Sequence, residues 1–138
     1  MSLDEVRAFL LQGTRTGKLG VTMRDGQPHV MPIWFVLDGD DVLFTTHVDT
    51  VKGRWITGDG RLSLCVDEEL APYAFVHLRG RATYSADLEE MRRFATLIGG
   101  RYMGEERAEE FGRRNAVAGE LLVRVKPERV IAKTGIAD

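Results

Sequence analysis

Apolar and polar residues alternate along most of this chain at the two-residue period of β-strands, interrupted by a few stretches at helical spacing. Leu3, Val6, Phe9 and Leu10 share one helical face, and Ser2 with Glu5 forms a capping-box pair ahead of them. That pattern predicts a helix over 3–11, ended by Gly13. Leu19, Val21 and Met23 then alternate in a strand over 16–23, and Asp25-Gly26 supplies a strong hairpin turn. A strand over 28–37 follows, then a turn at Asp38-Gly39-Asp40 and a strand over 41–46. Two successive hairpins predict a meander.

Helical spacing returns at about 50–57, with Thr50 or Asp49 as N-cap, and Gly58-Asp59-Gly60 breaks it. Strands are expected over 61–67, with Leu62, Leu64 and Val66 on one face, and over 73–84. Gly80, inside the second of these, marks a bulge or a close backbone approach. Asp87 caps a helix reaching Met103, with Leu88, Met91, Phe94, Ala95 and Ile98 on its apolar stripe, and 105–115 is charged and helical. A final strand occupies 120–133. Six or seven antiparallel strands joined by tight turns predict a mainly β fold with peripheral helices. Closure into a small barrel removes the long apolar edges that an open sheet would leave.

Composition narrows the function classes. A length of 138 residues predicts one domain over 1–138, able to bury a core without staples. The net charge of −2 gives no global attraction to nucleic acid, so any anion site must arise from local arrangement. Cys65 is the one cysteine, which excludes an internal disulfide. No apolar run approaches a membrane span, and Asp4 and Glu5 stand where a signal peptide carries basic residues. A cytoplasmic protein without membrane or nucleic-acid partners is expected. His29, His47 and His77 lack metal-ligand spacing, so no metal is expected. Nothing places a serine or threonine in a nucleophile elbow. Gly13 to Lys18 follows a helix and lacks the full spacing of a phosphate loop. The runs Glu89-Glu90, Arg92-Arg93, Glu105-Glu106 and Glu109-Glu110 read as solvated helix faces, a reading preferred for Arg113 and Arg114 over reach to a ligand across a subunit boundary.

The informative chemistry lies between residues 30 and 54. The apolar strand Val42-Leu43-Phe44 ends in Thr45-Thr46-His47, and Thr50, Lys52 and Arg54 follow within one helical turn. Hydroxyls, free backbone N–H groups and two cations meeting at a strand end suit a phosphate. His47 beside them is a candidate ligand contact. In the preceding strand Val30, Pro32, Trp34 and Val36 share one face, and Met31, Ile33 and Phe35 share the other. Both faces are apolar, so the strand should be covered on both sides. Pro32 cannot donate to a ladder, so pairing should break there.

These segments together resemble the pyridoxamine-phosphate-oxidase-like, FMN-binding split barrels. The resemblance rests on Gly26-Gln27-Pro28 and the strand to Trp34, on Val42 to Thr46, and on Thr50-Val51-Lys52-Gly53-Arg54. Val76 to Ala82 is similar to that family's central strand, and the resemblance spans about 5–133. True vitamin B6 oxidases carry cations where Met31, Val36 and Val51 stand here. The Pro-x-Trp-Phe strand and the bare Thr-x-Lys look more like the actinobacterial branch that uses the deazaflavin coenzyme F420.

The resemblance implies an oxidoreductase passing a hydride from reduced F420 to an unsaturated organic substrate. The alternatives it leaves are an FMN-dependent reductase or oxidase, and a non-catalytic cofactor or tetrapyrrole binder. By the same resemblance Lys52 and Arg54 neutralise the phosphate or acidic tail, and Thr45, Thr46 and Thr50 donate hydrogen bonds. Val30, Met31, Pro32, Ile33 and Trp34 line the ring, and a homodimer carries cofactor clefts at its interface. No catalytic residue is identified.

Overall fold

A computed structural model describes residues 1–138. In chain order the elements are α1 (Leu3–Leu11), β1 (Gly17–Thr22), β2 (Pro28–Ile33), β3 (Val36–Asp38), β4 (Asp41–His47), α2 (Val51–Gly58), β5 (Arg61–Glu68) and β6 (Ala74–Ser85). They are followed by α3 (Leu88–Met103), a single 3-10 turn at Glu105–Arg107, α4 (Ala108–Asn115) and β7 (Glu120–Lys133). The seven strands form one sheet in the order β2-β1-β5-β6-β7-β4-β3, and every pairing is antiparallel. This is the mainly β architecture that the alternation predicts.

One expected element divides. The strand predicted over 28–37 becomes β2 and β3, which lie at opposite edges of the sheet. The expected meander is therefore cut, and Trp34-Phe35 carries the chain from one edge to the other. Because consecutive segments occupy the two edges, the sheet must curl back on itself. The break also falls two residues later than Pro32. Pro32 stays in register opposite Lys18, since β2 is an edge strand and its missing donor costs no ladder bond on the open side. What stops the ladder is Phe35, whose N–H donates to the Tyr102 hydroxyl at 3.2 Å and whose carbonyl accepts from Arg101 at 2.7 Å.

The curled sheet encloses a core in which Leu19, Phe35, Val42, Phe44, Leu64, Val66, Val76, Leu78, Val123 and Val125 are buried, with Val6 and Leu10 of α1 joining them. Removing each such side chain from water contributes about 1.5–3 kcal/mol. A second cluster forms on the other face of β4. There Leu43, Leu122 and Val36 pack against Met91, Phe94 and Ile98 of α3. Leu88, expected on that stripe, is 49% exposed, because the helix begins beyond the edge of the cluster.

Caps form where the sequence places them. Ser2 and Glu5 close a reciprocal capping box, Thr50 caps α2, and the Asp87 side chain accepts from the N–H groups of Glu89 and Glu90. The bulge expected at Gly80 is present as a register shift between Arg79 and Gly80. A side chain on Gly80 would press into the carbonyl of Lys126, so the close approach demands glycine.

Candidate functional site

The corner where β4 meets α2 is built from short-range hydrogen bonds. Thr50 Oγ1 donates to the His47 carbonyl at 2.8 Å and accepts from Gly53 N–H at 3.0 Å. Its single proton is thereby committed, so Thr46 Oγ1, 2.9 Å away, must be the donor between the two hydroxyls. Gly53 completes the corner: a β-carbon there would collide with the His47 carbonyl oxygen. The result pins the first turn of α2 against the end of β4 and fixes the direction in which Lys52 leaves the helix. No acid stands in that first turn. Lys52 forms no ion pair with any carboxylate, so its charge is free for an anion.

Lys52 opens into a cavity of about 250 Å³ with Thr45 beside it and Pro32, Ile33, Trp34, Ile98 and Asn115 around it. Pro32 and Ile33 come from the end of β2, Trp34 from the segment that leaves it, Ile98 from α3 and Asn115 from α4. The cavity thus combines an apolar lining, Pro32, Ile33, Trp34 and Ile98, with the polar groups of Thr45, Lys52 and Asn115, a mixture that suits a planar heterocycle bearing an anionic arm. Of the residues singled out in the sequence, the fold gathers Pro32, Ile33, Trp34, Thr45 and Lys52 here.

The others are placed elsewhere. Val30 lies on the outward face of the edge strand, 66% exposed, and Met31 packs partly against the barrel core. The hydroxyls of Thr46 and Thr50 are used within the corner, so neither offers a free donor. His47 Nδ1 accepts from Asp49 N–H at 3.1 Å, and its Nε2 edge rests against Gly119. Arg54 turns to a different cleft, with Arg24 and Trp55, and donates to the Asp49 carbonyl at 3.0 Å. Lys52 and Arg54 are two residues apart on a helix and so point to opposite sides, which separates the two cations expected to act together.

The sequence pattern did not single out the aromatic cluster that backs Trp34. Trp34 stacks parallel on Tyr102, with ring centroids 5.1 Å apart and planes at 4°, and Phe111 tilts against it at 5.9 Å. The Tyr102 hydroxyl accepts from Phe35 N–H and donates to the Arg15 carbonyl at 2.8 Å. Burial holds its pKa above the ordinary value, against the opposing pull of the Phe35 hydrogen bond and Arg101. Arg101 itself donates to the carbonyls of Gly13, Phe35 and Leu10. Tyr102 lies four residues beyond Ile98, so continuing the α3 stripe by one turn is the signal that would have found it. Glu120 stands opposite His47 across β4 and β7, outside the cavity lining but close enough to feel the charge of Lys52. Burial raises its pKa, partly offset by His47 and Lys52.

No curated protein matches the chain. Among solved structures, a conserved hypothetical protein from Mycobacterium tuberculosis aligns with a TM-score of 0.85 at 24% identity, over 98% of this chain and 86% of that one. A protein described as an F420 reductase aligns with a TM-score of 0.71 at 25% identity, over 90% and 94% of the two chains. An FAD-binding protein from Mesorhizobium loti gives a TM-score of 0.70 at 20% identity, over 96% and 94%. The family described as pyridoxamine 5'-phosphate oxidase, which includes oxidoreductases acting with flavin-type cofactors, matches residues 2–134. With that match over nearly its whole length and a seven-stranded antiparallel split barrel to carry it, the chain belongs to the pyridoxamine 5'-phosphate oxidase family.

Proposed function

We propose that this protein is an F420-dependent reductase acting on an unsaturated small organic molecule. The observation that carries the reading is the unpaired Lys52 in a cavity that also presents Thr45 and Asn115 beside the apolar Pro32, Ile33, Trp34 and Ile98. Lys52, with the backbone N–H groups at the start of α2, holds the anionic arm, and Thr45 and Asn115 meet polar atoms of the ring system. Pro32, Trp34 and Ile98 lie along the ring and exclude water. When bound, the reduced deazaflavin supplies the hydride. None of the residues lining the cavity is a carboxyl, imidazole or phenol, so the accompanying proton comes from water.

A vitamin B6 oxidase activity is disfavoured by the interior. Val36 is buried in the second cluster and Met31 packs on the first, so cations at these positions would sit without partners. The F420 reductase among the structural neighbours supports the same branch. Trp34, just past the edge strand, is 39% exposed at the cavity, and a second copy of the chain is the natural cover for it, giving a homodimer whose interface closes the cofactor cleft.

Titration of F420 and of FMN, each followed by quenching of its own fluorescence, tests the reading. F420 is expected to bind, and Lys52→Ala to weaken it by about 1.5–3 kcal/mol, the range for a hydrogen bond to a charged group, without loss of fold. Tight FMN binding with no F420 binding would place the protein in the FMN branch. Saturated F420 binding with no turnover across enones, quinones and tetrapyrroles would leave it a binding protein.

A further inference from the structure

The outer face of β5, β6 and β7 crowds like charges together. Arg61 stands directly opposite Arg81, Arg81 opposite Lys126, and Arg79 opposite Arg129. Cross-strand partners share a face, and facing cations destabilise a sheet. The bulge at Gly80 aggravates the crowding, since Glu128 is the extra residue and Lys126, Glu128 and Arg129 all emerge close together. Two carboxylates answer five cations. Asp59 is bidentate on Arg61, at 2.7 and 2.8 Å, and Glu128 lies 3.6 Å from Arg81. Arg79, Arg129 and Lys126 pair with no carboxylate. This stands on a chain whose net charge is −2, so the concentration of positive charge is local.

The face is also concave. A cleft of about 490 Å³ is lined by Gly20, Ser63, Arg61 and Arg79 together with Asp59 and Glu128, and Arg129 stands beside it, in register with Arg79. Gly20, Ser63, Arg79 and Arg129 form one row across four strands. A β-carbon on Gly20 would meet nothing closer than 3.8 Å, so the missing side chain there leaves the cleft open rather than relieving a clash. The cleft shares Thr22 and Asp59 with a neighbouring one of about 770 Å³ that holds Arg24 and Arg54. Arg24 makes no ion pair either.

We propose that this face is a second anion site, separate from Lys52, which takes a small molecule bearing a diphosphate. One phosphate sits between the guanidinium forks of Arg79 and Arg129 with the Ser63 hydroxyl as a third donor. The second extends past Arg61 toward Arg24. Paired forks suit phosphate because each presents two parallel N–H donors to two oxygens. The anion removes the repulsion that the ligand-free face endures.

Inorganic pyrophosphate is the probe, titrated calorimetrically at low ionic strength so that screening does not mask the contact. Wild type and Lys52→Ala are expected to bind it at this face with similar affinity. Arg79→Gln/Arg129→Gln is expected to weaken that binding at least tenfold, and Ser63→Asp, which puts a carboxylate in the cleft, to abolish it. Without ligand, the double arginine variant should melt no lower than wild type, because it loses a like-charge contact. Identical isotherms for wild type and both face variants would overturn the proposal. So would binding that vanishes on Lys52→Ala alone.

Discussion

The Lys52 corner and the aromatic wall that backs Trp34 are built in opposite ways. The Lys52 corner is local: its hydrogen bonds join Thr46, His47, Thr50 and Gly53, no more than four residues apart. The aromatic wall is remote: Tyr102 and Arg101 bind Leu10, Gly13, Arg15 and Phe35 across separations of 66 to 91 residues. The corner presents a charge, and the wall holds the broken strand that lets the sheet close. Damage to the corner should therefore appear in ligand affinity, and damage to the wall in stability of the whole fold.

The largest expected effect breaks the wall. Arg101→Ala strands three carbonyls that a partly buried guanidinium now satisfies, so global stability should fall by about 4 kcal/mol. Denaturant unfolding checks it, with Lys52→Ala as the control that should unfold like wild type. Equal stabilities for Arg101→Ala and Lys52→Ala would erase the distinction between corner and wall. Burial lowers the Arg101 pKa, yet the guanidinium stays charged at any pH at which the protein folds.

Gly53→Ala comes next and strikes the corner. The added methyl meets the His47 backbone carbonyl, which cannot yield without moving the start of α2. A cost of about 2–3 kcal/mol is expected. Displacement of Lys52 should weaken cofactor binding beyond what the stability loss explains. Measuring affinity well below the melting transition separates the two. An unchanged affinity would mean that the corner does not aim Lys52.

The same contrast decides what the sequence made legible. Thr50, Lys52 and the α2 cap could be read because capping chemistry acts within one turn. The helix boundaries at Leu3 and Asp87 and the bulge at Gly80 were legible for the same reason: each is a local backbone requirement. The split of residues 28–37 was not. Its cause is Tyr102 and Arg101, and no feature of Trp34-Phe35 announces that distant side chains will take both of Phe35's backbone groups. Pro32 was the visible ladder breaker, but an edge strand tolerates it. Arg54 follows Lys52 by two residues, and helical geometry directs it to the neighbouring cleft with Arg24 and Trp55. Asn115 joins the cavity from α4, beyond any local pattern.

Tyr102→Phe sharpens the remote wall without emptying it. The ring and its stacking on Trp34 remain, while Phe35 N–H and the Arg15 carbonyl lose their partner. A loss of about 2 kcal/mol is expected. The pH dependence gives a second readout. The Tyr102 pKa is raised in the folded state, so its neutral form is the favoured one there. That stabilisation is complete below the unfolded value of about 10 and fades as pH climbs toward the folded pKa. Wild type should approach the phenylalanine variant in stability across that alkaline window. A constant gap through it would show that the phenol's ionisation is not coupled to folding.

Glu120 belongs to neither region, and its substitution has the smallest expected effect on stability. It faces His47 across β4 and β7, and burial raises its pKa while His47 and Lys52 pull it down. A raised carboxyl pKa favours the fold fully below the unfolded value of about 4.3, and that contribution is lost as pH rises through the folded pKa. Glu120→Gln should therefore gain on wild type between mildly acidic and neutral pH. Partial exposure screens the charge, so the gain is about 0.5 kcal/mol or less. The effect on binding has a definite sign. A carboxylate near Lys52 opposes an incoming phosphate, so the glutamine variant should bind F420 more tightly at neutral pH, with the advantage shrinking as Glu120 protonates in acid. Weaker binding by the glutamine variant would instead make Glu120 a hydrogen-bond acceptor for the ligand, and the polar contacts to the ligand would then be shared between Lys52 and β7 rather than owned by the corner alone.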